Sequence, residues 1–159
     1  MLRILKMKWS KNESKLREAL SNIEMDNLEY IDLVKITFDT IFNSDGGTYD
    51  DGTLDTNNIT VVDDGEYQGS QLFIIPFDMY QPDYTDYLMT YQCYGSCSGC
   101  DTLLSIRQYD EGNPNEQQLN DLMTLCRDLI MHTIKPYSGG WIGNEGDFDQ
   151  IDIDERKIE

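Results

Sequence analysis

Apolar residues recur at helical spacing near both ends of the chain and alternate with polar ones in its middle. Ser10-Lys11-Asn12-Glu13 pairs a Ser with a Glu three residues on, a capping box, and predicts a first helix carrying Leu16, Ala19, Leu20 and Ile23. Asp26-Asn27-Leu28-Glu29 opens a second in the same way. Its stripe is Leu28, Ile31, Val34, Phe38 and Ile41, and Asn43-Ser44-Asp45-Gly46-Gly47 stops it. Residues 44–58, rich in Gly, Asp, Asn and Thr, read as a long acidic loop.

Ile59–Val62, Leu72–Phe77 and Tyr87–Tyr94 then read as strands, with residues 63–69 as a hairpin connection. The links are too short for helical crossovers, so the order is antiparallel. The small-residue string Gly95–Asp101 turns the chain into a short helix over 101–109. Asn113-Pro114-Asn115-Glu116 introduces the last helix, with Leu119, Leu122, Met123, Cys126, Leu129, Ile130 and Thr133 on one face and Pro136 as its stop. The pattern predicts one α+β domain over residues 1–137. It is a two-layer unit, a small antiparallel sheet of about three strands packed with N-terminal and C-terminal helices. Residues 138–159 form an acidic tail, read as disordered or as an edge strand at 148–153.

Charge changes this picture most. Thirty Asp and Glu face twelve Lys and Arg, a formal net charge of −18. Residues 1–35 are nearly neutral, with seven bases and six acids, whereas residues 36–106 hold twelve acids and no Lys or Arg. No ion pair can form within that stretch, so its carboxylates are expected to face water, a cation or a basic partner. Such a density of like charge repels nucleic acid and anionic membranes. Direct nucleic-acid binding and membrane attachment are therefore not expected. The N-terminus lacks the apolar core of a leader, no run approaches the roughly 20 apolar residues of a membrane span, and a cytoplasmic protein is the expectation.

In that compartment Cys93, Cys97, Cys100 and Cys126 are thiols or ligands. Cys93-x3-Cys97-x2-Cys100 matches the iron–sulfur spacing of radical S-adenosylmethionine enzymes, but the chain has no room for their barrel. Cys97-Ser98-Gly99-Cys100 between a strand and a helix suggests a redox pair, although Asp101 and neighbouring acids favour the protonated thiols. A structural zinc held by Cys93, Cys97, Cys100 and Cys126 is the better-supported cofactor. The plainest reading is no cofactor at all, with reduced cysteines in a tight turn.

Catalysis has little support. No EF-hand loop or phosphate loop is present, and His132, the only histidine, falls late in the last helix, where capping is the usual role. The aromatics say more. Seven of ten tyrosines lie in the base-free stretch, with Tyr67, Tyr80 and Tyr84 in loop-like context beside acids. Tyr supplies contact area at low entropy cost while acids steer a basic partner. The candidate partner-binding residues are Asp45, Tyr49, Asp50, Asp51 and Asp55 before the first strand, and Asp63, Asp64, Glu66 and Tyr67 at the hairpin. A merely solvated acidic surface, as in salt-adapted proteins, fits less well, because four lysines remain among the first fifteen residues.

Val61-Val62-Asp63-Asp64-Gly65-Glu66-Tyr67-Gln68-Gly69 and Tyr94-Gly95-Ser96-Cys97-Ser98-Gly99-Cys100-Asp101-Thr102-Leu103 together resemble a group of small acidic proteins encoded in phage and prophage genomes. The likeness covers residues 27–134. In size, charge and suspected origin the chain also resembles anti-CRISPR proteins, particularly inhibitors of type II RNA-guided nucleases. That second likeness is one of character, since anti-CRISPR proteins share no common signature, and no functional residue is carried over. It implies an acidic inhibitor of a basic host protein, with a CRISPR effector nuclease as partner. The alternatives are a small metal- or thiol-dependent phage enzyme using the Cys cluster, and a minor virion component.

Overall fold

The computed structural model describes residues 2–47, 52–108 and 111–136. Tyr49, Asp50 and Asp51, and the whole of 138–159, lie outside them. Helix α1 spans Leu2–Ser21, starting well before the predicted cap at Ser10. Its buried stripe explains why: Leu5, Trp9, Asn12, Leu16 and Leu20 follow at three- and four-residue spacing, so the burying face begins upstream of Ser10.

Helix α2 (Tyr30–Thr37) also begins later than Asp26 predicts. Asn27 takes a left-handed φ of 56°. The capping box is Glu29 with Asp32, flanked by buried Leu28 and Leu33 at the positions of a hydrophobic staple. The helix continues into a π-helical turn, Phe38–Asn43, which buries Phe38, Ile41 and Phe42. There the Asn43 carboxamide grips Leu54, accepting from its N–H at 2.8 Å and donating to its carbonyl at 2.9 Å. Residues 52–58, predicted as loop, are thus held in place. Leu54 bridges Phe77, and the Asp55 N–H donates to the Pro76 carbonyl at 2.8 Å.

Strands β1 (Thr60–Asp63), β2 (Gly69–Pro76) and β3 (Tyr87–Tyr94) form an antiparallel sheet in that order. With α1 and α2 before it, and α3 (Thr102–Arg107) and α4 (Glu116–Met131) after it, this is the predicted α+β architecture. Phe73, Ile75, Leu88 and Thr90 alternate onto the buried face, and the Thr90 hydroxyl donates to the Leu129 carbonyl of α4 at 2.6 Å. Fully burying side chains of this size contributes about 1.5–3 kcal/mol each. His132 is the C-cap of α4, its ring stacked on Tyr91 with centroids 4.5 Å apart. No helix among the described residues is long and apolar enough to cross a membrane.

One carboxylate departs from the expectation that the acids of the base-free stretch face water, a cation or a basic partner. Asp45 pairs with Lys8 and, at 3.3 Å, with Lys11, both reaching across from α1. Lys8 is buried, and its ammonium also donates to the Phe42 carbonyl at 3.0 Å. Burial raises the Asp45 pKa, but bonds from Lys8 and Lys11 outweigh it and hold the carboxyl below its ordinary range. That stabilisation is present above the usual carboxylate pKa and fades as pH falls through the lowered value. Lys8→Met is expected to cost about 2 kcal/mol at neutral pH, because the Phe42 carbonyl and Asp45 both lose a donor. Urea unfolding at pH 7 and at successively lower pH checks this: the deficit should shrink in acid, as protonation of Asp45 weakens the parent's own ion pair.

Candidate functional site: an acidic hairpin beside a cysteine turn

The hairpin joining β1 to β2 is built by its own acids. Asp63 accepts from the Gly65 N–H at 3.0 Å, the Gln71 amide at 3.0 Å and the Tyr94 hydroxyl at 2.6 Å. Those bonds, Tyr94 first, hold its carboxyl below the ordinary value, and the same contact pushes the Tyr94 phenol up to about 12. Asp64 closes the turn: its carboxylate accepts from the Ser70 N–H, and its own N–H donates to the Ser70 carbonyl at 3.2 Å. A Cβ at Gly65 would fall 2.1 Å from the Gln68 carbonyl oxygen, so the turn closes only on glycine. Glu66 and Tyr67 take part in none of these bonds. They stand at the tip, Tyr67 78% exposed.

Beside the tip, β1 is an edge strand of the sheet, exposed at all four residues, Val61 and Val62 included. Behind it a groove of about 330 Å³ is lined by Val61, Gln71, Tyr94, Tyr30 and Arg107. Arg107 is the base in that lining, and its guanidinium donates to the Leu28 carbonyl at 3.0 Å.

The six candidate partner residues among those described, Asp45, Asp55, Asp63, Asp64, Glu66 and Tyr67, do not form one surface. Asp55 sits beside Pro76, at the far end of β2 from the hairpin, and Asp63 lies opposite Gln71. At the rise of an extended strand the two are roughly 17 Å apart. Asp55 is moreover engaged in a local turn, accepting from the Asn57 N–H at 3.1 Å and from the Asn58 amide. Asp45 is neutralised by Lys8 and Lys11. What remains together is Asp63, Asp64, Glu66 and Tyr67. Tyr80, at 95% the most exposed large hydrophobic among the described residues, belongs to the loop at the opposite end of the sheet.

The sheet register does join two strings that lie far apart in sequence. Gly69 pairs with Tyr94 and Ser70 with Cys93, so the hairpin and the cysteine turn share one end of the sheet. The Ser70 hydroxyl and the Cys93 thiol are 3.6 Å apart. Cys93, Cys97 and Cys100 are exposed, and Cys126 is fully buried on α4, where burial pushes its thiol up to about 12. Among the described residues no three His, Cys, Asp or Glu side chains are grouped as a metal ion requires, so the four proposed zinc ligands are not gathered. The physical reason is that α4 turns Cys126 into the core while the other three face solvent.

The thiols differ from expectation in one respect. Neighbouring acids predict protonated thiols, yet Cys100 is held below the ordinary thiol value. The Cys97 side chain contributes most. Desolvation opposes it, and the Cys97 backbone and Ser96 add to it. Donors in direct contact with the sulfur favour its charged form.

Asp101, read from the sequence only as part of a string and as an acid beside the thiols, is the hub of this end. One oxygen accepts from the Leu104 N–H at 2.9 Å, capping α3, and from the Tyr30 hydroxyl at 3.1 Å. The other accepts from the Gly95 N–H at 3.0 Å, and Tyr30 in turn accepts from the Leu103 N–H at 3.1 Å. Burial, first, pushes the Tyr30 phenol well above its ordinary range. An Asp directly before Thr102-Leu103-Leu104 is a helix-start signal that could have found the cap. No local signal finds Tyr30.

No protein-family model matches the chain, and comparisons with curated proteins and with solved structures return no match.

Proposed function

We propose that this chain is an acidic binding protein that occupies the basic surface of a host nucleic-acid-handling protein and inhibits it. The partner to test first is a type II RNA-guided CRISPR nuclease, as the likeness in character to anti-CRISPR proteins suggests. The observation that carries the reading is the hairpin tip. Glu66 and Tyr67 stand exposed on a turn that Asp63 and Asp64 hold rigid, in a stretch of seventy-one residues without a Lys or Arg. RNA-guided nucleases hold nucleic acid in positively charged channels, and such a tip has the charge and the aromatic anchor to enter one.

The test is inhibition of target cleavage by a guide-loaded nuclease of that class, together with binding kinetics. Association is expected to slow about tenfold or more between low and physiological ionic strength, with dissociation changing less. On-rates flat across that range would remove the electrostatic argument. The isolated protein is expected to leave duplex and single-stranded nucleic acid unshifted at micromolar concentration, and a salt-sensitive gel shift would overturn the reading. Unimpaired cleavage with no binding would remove this class of partner.

A further inference from the structure

We propose that Cys97 and Cys100 form a reversible dithiol–disulfide site, in which Cys100 attacks a low-molecular-weight disulfide and Cys97 resolves the product. This inference is independent of the partner reading. It starts from the turn itself. The Cys100 N–H donates to the Cys97 carbonyl at 3.0 Å, which closes a four-residue turn. Such a turn brings its end Cα atoms within about 7 Å, next to the roughly 4.4–6.8 Å that a disulfide spans.

The Cys100 sulfur points back across the turn. It accepts from the Cys97 N–H at 2.9 Å and lies 3.2 Å from the Cys97 carbonyl oxygen. The Cys97 sulfur lies on the same turn, 3.9 Å from where a Cβ at Gly99 would stand. Gly95 makes room for this fold-back, since a Cβ there would come within 2.7 Å of the Cys100 sulfur. Both sulfurs thus belong to one tight turn, with the Cys100 sulfur already against the Cys97 backbone.

Access and reactivity agree with the geometry. Both thiols are exposed, and Cys100 lines an open cleft of about 450 Å³ with Asp101, Thr102, Ser105 and Asp121, room enough for a peptide-sized thiol compound. The bonds from Cys97 and Ser96 stabilise the thiolate, which is the attacking species. Cys93, on β3, shares the exposure but not the turn, and Cys126 is sealed in the core.

The chemistry balances with a disulfide as oxidant. The Cys100 thiolate attacks one sulfur of the disulfide, whose S–S bond breaks and releases one thiolate with the electron pair. Cys97 then loses its proton, attacks the Cys100 sulfur and expels the second thiolate. Two cysteine thiols are oxidised, one disulfide is reduced to two thiols, and the two protons end on those products.

The probe is oxidised glutathione, added to the reduced full-length chain, quenched in acid and read by intact mass and fragment mapping. The expected product is the chain less two hydrogens, with the bond between Cys97 and Cys100, recovered to the thiol form by reduced glutathione. Cys97→Ser should instead accumulate one glutathione adduct at Cys100. In Cys100→Ser the remaining thiols should react about tenfold more slowly. Cys93→Ser should form the same disulfide as the parent, and matching circular dichroism spectra exclude unfolding as the cause. A bond to Cys93, or adducts forming at equal rates on Cys93 and Cys100, would overturn the proposal.

Discussion

Replacing Asp101 with alanine is expected to lower the stability of the fold by about 3 kcal/mol, or roughly 10 °C in Tm for a chain of this size. The carboxylate accepts three hydrogen bonds, from Leu104, Tyr30 and Gly95, in a position only 6% exposed. The lost helix cap accounts for about 1 kcal/mol. The Gly95 N–H and the Tyr30 hydroxyl, left without an acceptor, account for the rest. Asp101→Asn separates these contributions. One oxygen survives for Leu104 and Tyr30, but the amide nitrogen must take the other's place, facing the Gly95 N–H, donor against donor. A loss of about 1–2 kcal/mol is expected there, and a similar one for Tyr30→Phe, which strands the Leu103 N–H. Denaturant unfolding of the set should show coupling between Tyr30 and Asp101. An alanine variant within about 0.5 kcal/mol of the parent would mean that water replaces the carboxylate, and that the turn does not depend on it.

Much of the fold is legible in the sequence where local pattern and tertiary demand agree. Strand β3 is readable to the residue, because Tyr87–Tyr94 is rich in strand formers and Gly95 punctuates its end. The first turn of α4 is equally plain, since Asn115 and Gln118 form the cap directly after Pro114. The start of α1 is hidden because Lys8, a charged residue by type, sits on the burying face and breaks the apolar stripe. Asp45 and Phe42, more than thirty residues away, make that burial tolerable, Phe42 through its carbonyl and through its ring, 5.2 Å from the ammonium. The π-helical turn has no signature in spacing at all; it follows from seating Phe38, Ile41 and Phe42 in one core.

The candidate site divides along the same line. The hairpin and the cysteine turn are each legible as strings of Gly, Asp and Ser, but their adjacency needs the pairing of Gly69 with Tyr94. That register is a nonlocal fact, set by which faces of β2 and β3 are buried. The carboxylates teach a related lesson. Counting them without local bases predicts twelve groups awaiting a partner, yet Asp39, Asp45, Asp55, Asp63, Asp64 and Asp101 accept hydrogen bonds from amides, hydroxyls or ammonium groups of the same chain. Backbone N–H and side-chain donors do in this stretch what Lys and Arg do elsewhere.

That distinction selects the decisive binding variants. Neutralising Asp63 or Asp64 would loosen the hairpin as well as remove charge, because each holds a backbone N–H of the turn. Glu66 and Tyr67 carry no such duty, so their substitution reports on a partner alone. Tyr67→Ala is expected to weaken binding to the guide-loaded nuclease about thirtyfold, the roughly 2 kcal/mol typical of an aromatic anchor, chiefly through faster dissociation. Glu66→Gln should cost about threefold, chiefly through slower association, and the difference should vanish at high salt. Unfolding curves of both variants should overlay the parent's. Tyr80→Ala is the matched control: it removes a tyrosine 95% exposed from the opposite end of a strand roughly 25 Å long, and should leave affinity within about twofold. Should Tyr80→Ala abolish binding while Tyr67→Ala leaves it intact, the partner grips the other end of the sheet, and the hairpin is only a well-made turn.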